Sequence, residues 1–254
     1  MNVKFQNVTY KRKKFCLQNL SFTIREGFIT ALTGPNGAGK TALCHLLLDK
    51  NARYEGSILA DDMEWRQNRI ARMNRIGFVS DEQRFFMELT AMENVRLLHC
   101  LYDEFSEDKF QESMEKMQLS VHTYLRDMSR GEYIKYQLAF AMSHKTRLYL
   151  LDEASAGMDP VFKKDFFRML HELLMADEQC SVLFSTHIQE DIRKHMDYVI
   201  HLEQGRVLSE CEAGEFNAGT AFENQADRRN FNTETAFEKQ ADADKERTAV
   251  HGQS

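Results

Sequence analysis

The sequence predicts an α/β fold with a mostly parallel core sheet, an N-terminal antiparallel β subdomain and an inserted α-helical subdomain. Polar and apolar residues alternate over the first thirty residues, as they do in half-buried strands. An apolar run at 28–33 leads into a glycine-rich turn and then into apolar residues at helical spacing over 41–48. Further apolar runs at 148–151 and 181–185 alternate with helical patterns, which implies a parallel sheet covered on both faces.

Length and composition favour one α/β core without a membrane span. The chain has 254 residues, of which 43% are hydrophobic, enough to bury such a core. No stretch approaches the ~20 apolar residues that cross a bilayer, and the first residues lack the apolar region of a signal peptide, so we expect a cytoplasmic protein. The formal net charge of −6 argues against nucleic acid as a partner, because duplex binding normally uses a concentrated basic face.

The middle of the chain predicts a helical insert. After a strand at 76–79, Thr90 and Glu93 have the spacing of a capping box, which begins a helix. Apolar residues at helical spacing then favour three helices, at about 93–101, 106–117 and 131–142. We therefore expect an inserted helical subdomain at about 90–142, within one domain that covers residues 1–212.

The composition changes after residue 212. Asn, Gln, Asp, Glu and Thr dominate residues 213–254, and such a segment cannot bury enough apolar surface to offset its chain entropy. The segment contains a tandem repeat, in which the pattern of 216–227 recurs at 231–242, an offset of 15 residues. Two copies are too few for a solenoid. We expect a disordered tail, with a docking peptide as the alternative.

The glycine-rich segment GPNGAGKT at 34–41 matches the P-loop pattern G-x-x-x-x-G-K-[ST]. In this pattern backbone N–H groups surround phosphates, the lysine brings positive charge to the β- and γ-phosphates, and the final hydroxyl can ligate Mg²⁺. The helix that follows adds the positive end of its dipole. A plain glycine turn is the alternative, and the position between an apolar strand and a helix argues against it. The predicted nucleotide-binding residues are Gly34, Asn36, Gly37, Ala38, Gly39, Lys40, Thr41 and Ala42.

Two carboxylates follow the apolar run at 148–151. Asp152 is suited to the shell of a Mg²⁺ ion, and Glu153 is suited to polarising a water molecule. In an extended chain the two side chains would point to opposite sides. Acidic residues often end strands for structural reasons. The pair indicates a metal and catalytic site only in combination with the P-loop that precedes it.

Three further segments follow in a fixed order: MSRGE at 128–132, SAGMD at 155–159 and STH at 185–187. Together with the P-loop and the paired acids, this order resembles the ATP-binding cassette (ABC) family over about residues 1–210. In that family the three segments correspond to the signature motif, the D-loop and the switch histidine.

The resemblance implies an ATPase that binds ATP and Mg²⁺. It assigns Lys40 to the phosphates, Asp152 together with Thr41 to the metal, Glu153 to the role of general base, and His187 to sensing the γ-phosphate. By the same resemblance Tyr10 is the candidate for stacking on adenine, with a simple core tyrosine as the alternative.

The signature segment implies a dimer. In the family, Ser129 and Gly131 would hold the ATP bound by the P-loop of a second cassette, which can be identical or different, and Asp159 would lie at the dimer interface. The start of a helix suits this role, since its hydroxyl, bare backbone and dipole can all hold an anion. Arg130 and Glu132 depart from the glycine and the glutamine of the family pattern.

A second departure is Asp81, where the family usually has a glutamine that touches Mg²⁺. Asp81 could still ligate the metal, and Gln83 could instead substitute for the missing amide. Just beyond these residues, Phe85 and Phe86 predict either a contact surface or core packing.

These patterns favour the motor subunit of a membrane transporter of the exporter type. Such a subunit would lie on the inner face of the cell membrane, bound to a separately encoded membrane-spanning permease. A soluble cassette ATPase that acts on ribosomes or DNA is the main alternative. A small-molecule kinase that uses only the P-loop is the other, and it would leave residues 128–132 and His187 unexplained.

Overall fold

A computed structural model describes residues 1–12 and 15–216. The strands in this part of the chain are β1 (Val3–Arg12), β2 (Phe15–Ile24), β3 (Ile29–Thr33), β4 (Tyr54–Ala60), β5 (Met63–Glu64), β6 (Ile76–Ser80), β7 (Leu148–Asp152), β8 (Ser181–Ser185), β9 (Tyr198–Glu203) and β10 (Arg206–Glu212). The α-helices are α1 (Lys40–Leu48), α2 (Arg69–Met73), α3 (Ala91–Leu98), α4 (Glu107–Lys116), α5 (Arg130–Met142), α6 (Pro160–Ala176) and α7 (Gln189–His195). Short 3-10 helices lie at His99–Leu101 and Leu125–Asp127.

These strands form two sheets. The first is antiparallel with strand order β2-β1-β4-β5, and the second has the order β10-β9-β3-β8-β7-β6. In the second sheet every pairing is parallel except that of β10 with β9. The predicted fold class is therefore confirmed, including the mostly parallel core sheet and the antiparallel N-terminal strands.

The antiparallel sheet is built on the alternating pattern of the first thirty residues. Val3 pairs with Ile24 and Phe5 with Phe22, so the apolar residues of β1 and β2 share one buried face. The rings of Phe5 and Phe22 stack with their centroids 4.2 Å apart. Such stacked pairs add to the free energy gained by burying the rings.

The helical insert lies between β6 and β7. Helix α3 begins with the expected capping box, in which the Thr90 side chain accepts from the Glu93 N–H and the Glu93 carboxylate accepts from the Thr90 N–H. The Phe85 ring packs edge-on against Tyr136 of α5, with centroids 5.0 Å apart. Phe86 is 52% exposed. Phe85 therefore packs against the helical insert, whereas the neighbouring Phe86 lies at the surface.

Buried parallel strands bring the sequence motifs to one edge of the core sheet. Every residue of β3, β7 and β8 is buried, as expected for strands covered by helices on both faces. In the pairing register, Ser185 of β8 lies beside both Leu32 of β3 and Asp152 of β7, while Ser80 of β6 also lies beside Asp152. The segments that follow these four strands therefore meet at their carboxyl ends, which is where ligands bind in open α/β sheets.

By its internal contacts the chain divides into one unit at Met1–Gly214 and another at Glu215–Ser254. The predicted tail at 213–254 falls mainly in the second unit, and its tandem repeat lies outside the described residues apart from Phe216. In the part that the structure describes, no helix is long and apolar enough to cross a membrane.

Candidate active site

The P-loop joins β3 to α1, and two of its glycines have no room for a side chain. Gly34 and Gly39 have φ angles of 148° and 113°, in the region that favours glycine. A Cβ atom on Gly34 would collide with the backbone carbonyl of Leu202, and one on Gly39 would lie 2.6 Å from Cζ of Phe15. The loop therefore turns tightly between the sheet and α1 and packs closely against Leu202 and Phe15.

Lys40 is the first residue of α1, and its side chain folds back over the P-loop. The ammonium donates to the carbonyl oxygens of Gly34, at 2.9 Å, and Pro35, at 3.3 Å. Lys40 is only 5% exposed, and its Nζ lies 3.8 Å from Oε1 of Glu153. The structure thus places a buried cation at the mouth of the loop.

The other predicted P-loop residues differ in their exposure to solvent. Asn36, Gly37 and Thr41 are exposed, whereas Ala38 is buried and Ala42 is half-buried. The exposed Thr41 hydroxyl is therefore accessible to a metal ion or to a nucleotide.

Asp152 ends β7 as a buried carboxylate, 7% exposed. The hydroxyl of Ser185, at the end of the neighbouring β8, donates to Oδ1 of Asp152. The same hydroxyl accepts from the backbone N–H of Glu153 at 2.9 Å. Ser185 therefore fixes both acids, and sequence reasoning did not assign it a role, although a hydroxyl at the end of the adjacent strand marks its position.

Glu153 does not continue the strand. Its φ angle is 51°, so the expectation that it points opposite to Asp152 in an extended chain is wrong; the chain bends where β7 ends. Its Oε1 lies 3.8 Å from Nζ of Lys40 and 3.9 Å from Nδ1 of His187, which is 56% exposed. Three residues that lie far apart in the sequence thus converge at this edge of the sheet.

Helix α1 contributes two titratable groups near the P-loop. Burial raises the pKa of the Cys44 thiol, and the nearby Asp152 carboxylate raises it further, so Cys44 is neutral. Burial lowers the pKa of His45, and the guanidinium groups of Arg84 and Arg12 lower it further. Neither side chain therefore adds a charge to the site at neutral pH.

The signature segment begins α5 and forms a capping box. The Ser129 side chain accepts from the N–H of Glu132 at 3.3 Å, and the Glu132 carboxylate accepts from the N–H of Ser129 at 2.8 Å. The hydrogen bond with the Ser129 side chain, followed by that with its backbone, lowers the pKa of Glu132. Gly131 packs near Phe162 of α6. Ser129 is exposed and Gly131 is half-buried at this helix start.

Asp81 follows β6 and contacts the residue that starts α5. Its carboxylate lies 3.4 Å from Nη2 of Arg130. The two side chains are 56% and 47% exposed, so solvent screens this ion pair. The two departures from the family pattern are therefore neighbours, and Asp81 stays accessible to a metal ion.

The structure buries Tyr10 in the hydrophobic core. Tyr10 is 6% exposed and belongs to a core cluster that also contains Ala38 of the P-loop, which favours its alternative interpretation as a core residue. The aromatic ring beside the P-loop belongs to Phe15, which contacts Gly39 and is only partly buried. Phe15 was missed because it follows the run of basic residues at 11–14, where the sequence does not fix which residues face the core.

The acids of this site provide hard oxygen ligands. Among the described residues, no group of three or more His, Cys, Asp and Glu side chains could hold a metal ion by itself. Mg²⁺ is commonly bound through one or two protein oxygens together with substrate phosphates, so the carboxylate of Asp152 and the hydroxyl of Thr41 are groups of the kind that fits Mg²⁺.

A phosphate-binding loop after the parallel strand β3, with a buried aspartate at the end of β7, which lies two strands away in the same sheet, defines a P-loop nucleotide-binding protein. Comparison with known proteins identifies the family more closely. The chain belongs to the ABC transporter family, whose model matches residues 17–156.

Relatives and a solved structure extend this result. The chain is 30% identical over 204 residues to the Nod factor export ATP-binding protein I of Rhizobium leguminosarum bv. viciae, covering 78% of this chain and 64% of that relative. It is 25% identical over 227 residues to the lantibiotic transport ATP-binding protein SrtF of Streptococcus pyogenes, covering 88% and 96%. A dimeric structure of the ATP-binding cassette MJ0796, in a post-hydrolysis state bound to ADP and Pi, matches with a TM-score of 0.71 at 26% identity, covering 84% and 100%.

Proposed function

We propose that this chain binds and hydrolyses ATP as the motor subunit of an ABC exporter whose membrane-spanning permease is a separate polypeptide. The observation that carries the proposal is the position of the Glu153 carboxylate, 3.8 Å from the Lys40 ammonium and 3.9 Å from the His187 ring. A base, a phosphate-binding cation and a histidine in this arrangement suit attack by water on a terminal phosphate.

Each residue then has a distinct role. Lys40 exchanges its contact with Glu153 for the β- and γ-phosphates of ATP, because a triphosphate carries more negative charge than one carboxylate. Glu153 accepts a proton from the attacking water. His187 contacts the γ-phosphate, and the partly buried ring of Phe15 stacks on the adenine in place of Tyr10.

Mg²⁺ would be held by Thr41 and Asp152, with Asp81 as a further oxygen ligand. When bound, the ion neutralises charge on the phosphates. Ser185 keeps the Asp152 carboxylate oriented through its hydrogen bond.

Asp81→Gln tests the role of that carboxylate. If Asp81 ligates Mg²⁺, a neutral amide should raise several-fold the Mg²⁺ concentration that gives half-maximal ATP hydrolysis. A Mg²⁺ titration of phosphate release measures this. An exposed acid on α4 provides the control variant, Asp108→Gln.

A second variant separates the metal from the ion pair. Arg130→Gln removes the contact with Asp81 and keeps its carboxylate. An equal Mg²⁺ requirement in wild type and Asp81→Gln would mean that Asp81 is only a linker residue. An equal rise of the Mg²⁺ requirement in Asp81→Gln and in Arg130→Gln would mean that the ion pair, and not metal binding by Asp81, causes the effect.

The signature residues support a head-to-tail dimer. The exposed start of α5 presents the Ser129 hydroxyl and the bare backbone of Gly131, which together suit binding of an anion from a second chain. Asp159 accepts from the Phe162 N–H at 2.9 Å and caps α6, and the Phe162 ring lies near Gly131 at the start of α5. The dimeric state of the related cassette MJ0796 is consistent with this arrangement.

The export direction rests on the relatives named for Nod factor export and lantibiotic transport. The permease would hold the chain at the inner face of the cell membrane. Phe86, Leu97 and Leu101 are 52%, 49% and 63% exposed, and such exposed apolar side chains in the segment 86–101 suit contact with a protein partner.

Membrane association should therefore depend on a co-expressed permease and not on lipid alone. Fractionation of cells that express the chain with and without its permease measures this. Phe86→Ser should lower the membrane-bound fraction, because the exposed ring would lose its contact. Met175→Ser, at a side chain of α6 that is 83% exposed, is the matched control.

Tight binding of the isolated chain to protein-free liposomes would contradict the permease requirement. An unchanged membrane fraction in Phe86→Ser would remove that residue from the permease contact.

A further inference from the structure

Asp191 is a buried carboxylate on α7 that the proposed chemistry leaves unused. It is 2% exposed. Its Oδ2 accepts a hydrogen bond from the Ser155 hydroxyl at 2.8 Å, and its Oδ1 lies 2.6 Å from Nζ of Lys163. One carboxylate therefore joins three segments of the chain: the loop after β7, helix α6 and helix α7.

The surroundings of Asp191 make these contacts specific. Ser155 is itself 2% exposed, and the Lys163 side chain is 22% exposed, so water competes little for the carboxylate. A buried charge is strongly unfavourable unless its oxygens are paired, and here each oxygen has its own partner. The three side chains therefore define a fixed relative position for their segments.

Each of the three segments carries a residue of the proposed site. Ser155 lies two residues after Glu153, and Asp191 lies four residues after His187. Lys163 lies one helical turn after Asp159, to whose carbonyl its backbone N–H donates at 2.9 Å. A shift of Asp191 would thus move Glu153, His187 and the start of α6 relative to one another.

The core sheet fixes the positions of the Glu153 loop and the His187 loop only where each loop begins. The ladder between β7 and β8 ends where Asp152 pairs with Ser185, and the backbone N–H of Glu153 makes a last bond to the Ser185 carbonyl at 3.2 Å. Beyond that point the loop of Glu153 and the loop of His187 leave the sheet. The contact between Ser155 and Asp191 connects the two loops again further on.

We infer that Asp191 is a positioning residue, which holds the Glu153 loop, the His187 loop and α6 in the arrangement needed for ATP hydrolysis. The inference rests on the proposed function. The described polar contacts of the Asp191 carboxylate are to Ser155 and Lys163 and not to Glu153 or His187, so its effect is on geometry. Small displacements of reacting groups have large effects on rate.

The test compares two neighbouring changes of an acid to its amide. Asp191→Asn keeps the shape and removes the charge that pairs with Lys163. Glu190→Gln is the matched control, because Glu190 is exposed on the same helix and contacts only Lys194 among its described partners. In folded samples, verified by thermal unfolding, Asp191→Asn should lower kcat about 10- to 100-fold. Its KM for ATP should stay within about twofold of wild type, because the P-loop is untouched.

A purely structural role would lower the melting temperature and leave kcat of the folded fraction unchanged, which would overturn the inference. If Asp191→Asn does not fold, kcat is measured instead in two variants of Lys163. Lys163→Met removes the charge that pairs with Asp191, and Lys163→Arg keeps it. The inference requires a loss of kcat in Lys163→Met and its recovery in Lys163→Arg; equal kcat in both would overturn it. Absence of hydrolysis in wild type and in Glu190→Gln would instead mean that the proposed function has failed.

Discussion

Glu153→Gln is expected to reduce ATP turnover by about 10²- to 10⁴-fold, the usual effect of losing a general base. The amide keeps the shape of the side chain and can still form hydrogen bonds, but it cannot accept a proton from water. Because Lys40 and the P-loop are unchanged, ATP binding should remain. The position of the carboxylate, between Lys40 and His187, is the structural reason for this expectation.

Phosphate release and nucleotide titration on the same samples separate turnover from binding. Glu178→Gln is a suitable control, since Glu178 is exposed in the loop that precedes β8, at the opposite end of that strand from the site. Hydrolysis at the wild-type rate in Glu153→Gln would exclude Glu153 as the base.

Lys40→Ala should weaken ATP binding about 10- to 150-fold, the equivalent of one hydrogen bond to a charged group. Lys40 provides a buried ammonium at the mouth of the P-loop. Among the described residues of the P-loop, it is the one that brings a positive charge to Glu153. Loss of the side chain also leaves the carbonyl oxygens of Gly34 and Pro35 without this donor. Thermal unfolding of the same samples therefore accompanies the titration.

The matched control for this change is Lys50→Ala, which removes an exposed lysine just beyond the other end of α1. ATP affinity should be unchanged in the control and reduced in Lys40→Ala. Equal affinities in a folded Lys40→Ala protein would place the lysine outside the nucleotide site.

Local sequence patterns predict the parts of the fold that have strong periodicity. The buried runs of β3, β7 and β8 and the helical spacing of apolar residues in α5 mark the positions of these elements. The patterns did not assign β4, β5, β9 or β10. Strand β4 carries the mixed sequence YEGSILA and pairs with β1, which lies far earlier in the chain, so its identity depends on a partner that local sequence does not specify.

The candidate site likewise contains residues that local sequence predicts and residues whose positions depend on tertiary contacts. The glycines and Lys40 of the P-loop have fixed spacing, and Asp152 ends an apolar run, so the sequence alone places them. The bend at Glu153, with φ of 51°, depends on the hydrogen bonds that Ser185 makes across two strands. The position of Phe15 against Gly39 likewise depends on how β2 lies over the P-loop. Tertiary placement, and not local propensity, decides these features.

The central claim is that ATP is bound and hydrolysed between two cassettes, with the signature residues of one chain completing the site of the other. Gel filtration of Glu153→Gln with and without ATP and Mg²⁺ tests it most directly, since slow hydrolysis should let the ATP-bound dimer accumulate. We expect a monomer without nucleotide and a dimer with ATP and Mg²⁺, formed by this chain alone or with a second cassette of the same transporter. A protein that binds ATP yet elutes as a monomer, both alone and with the second cassette, would contradict the account.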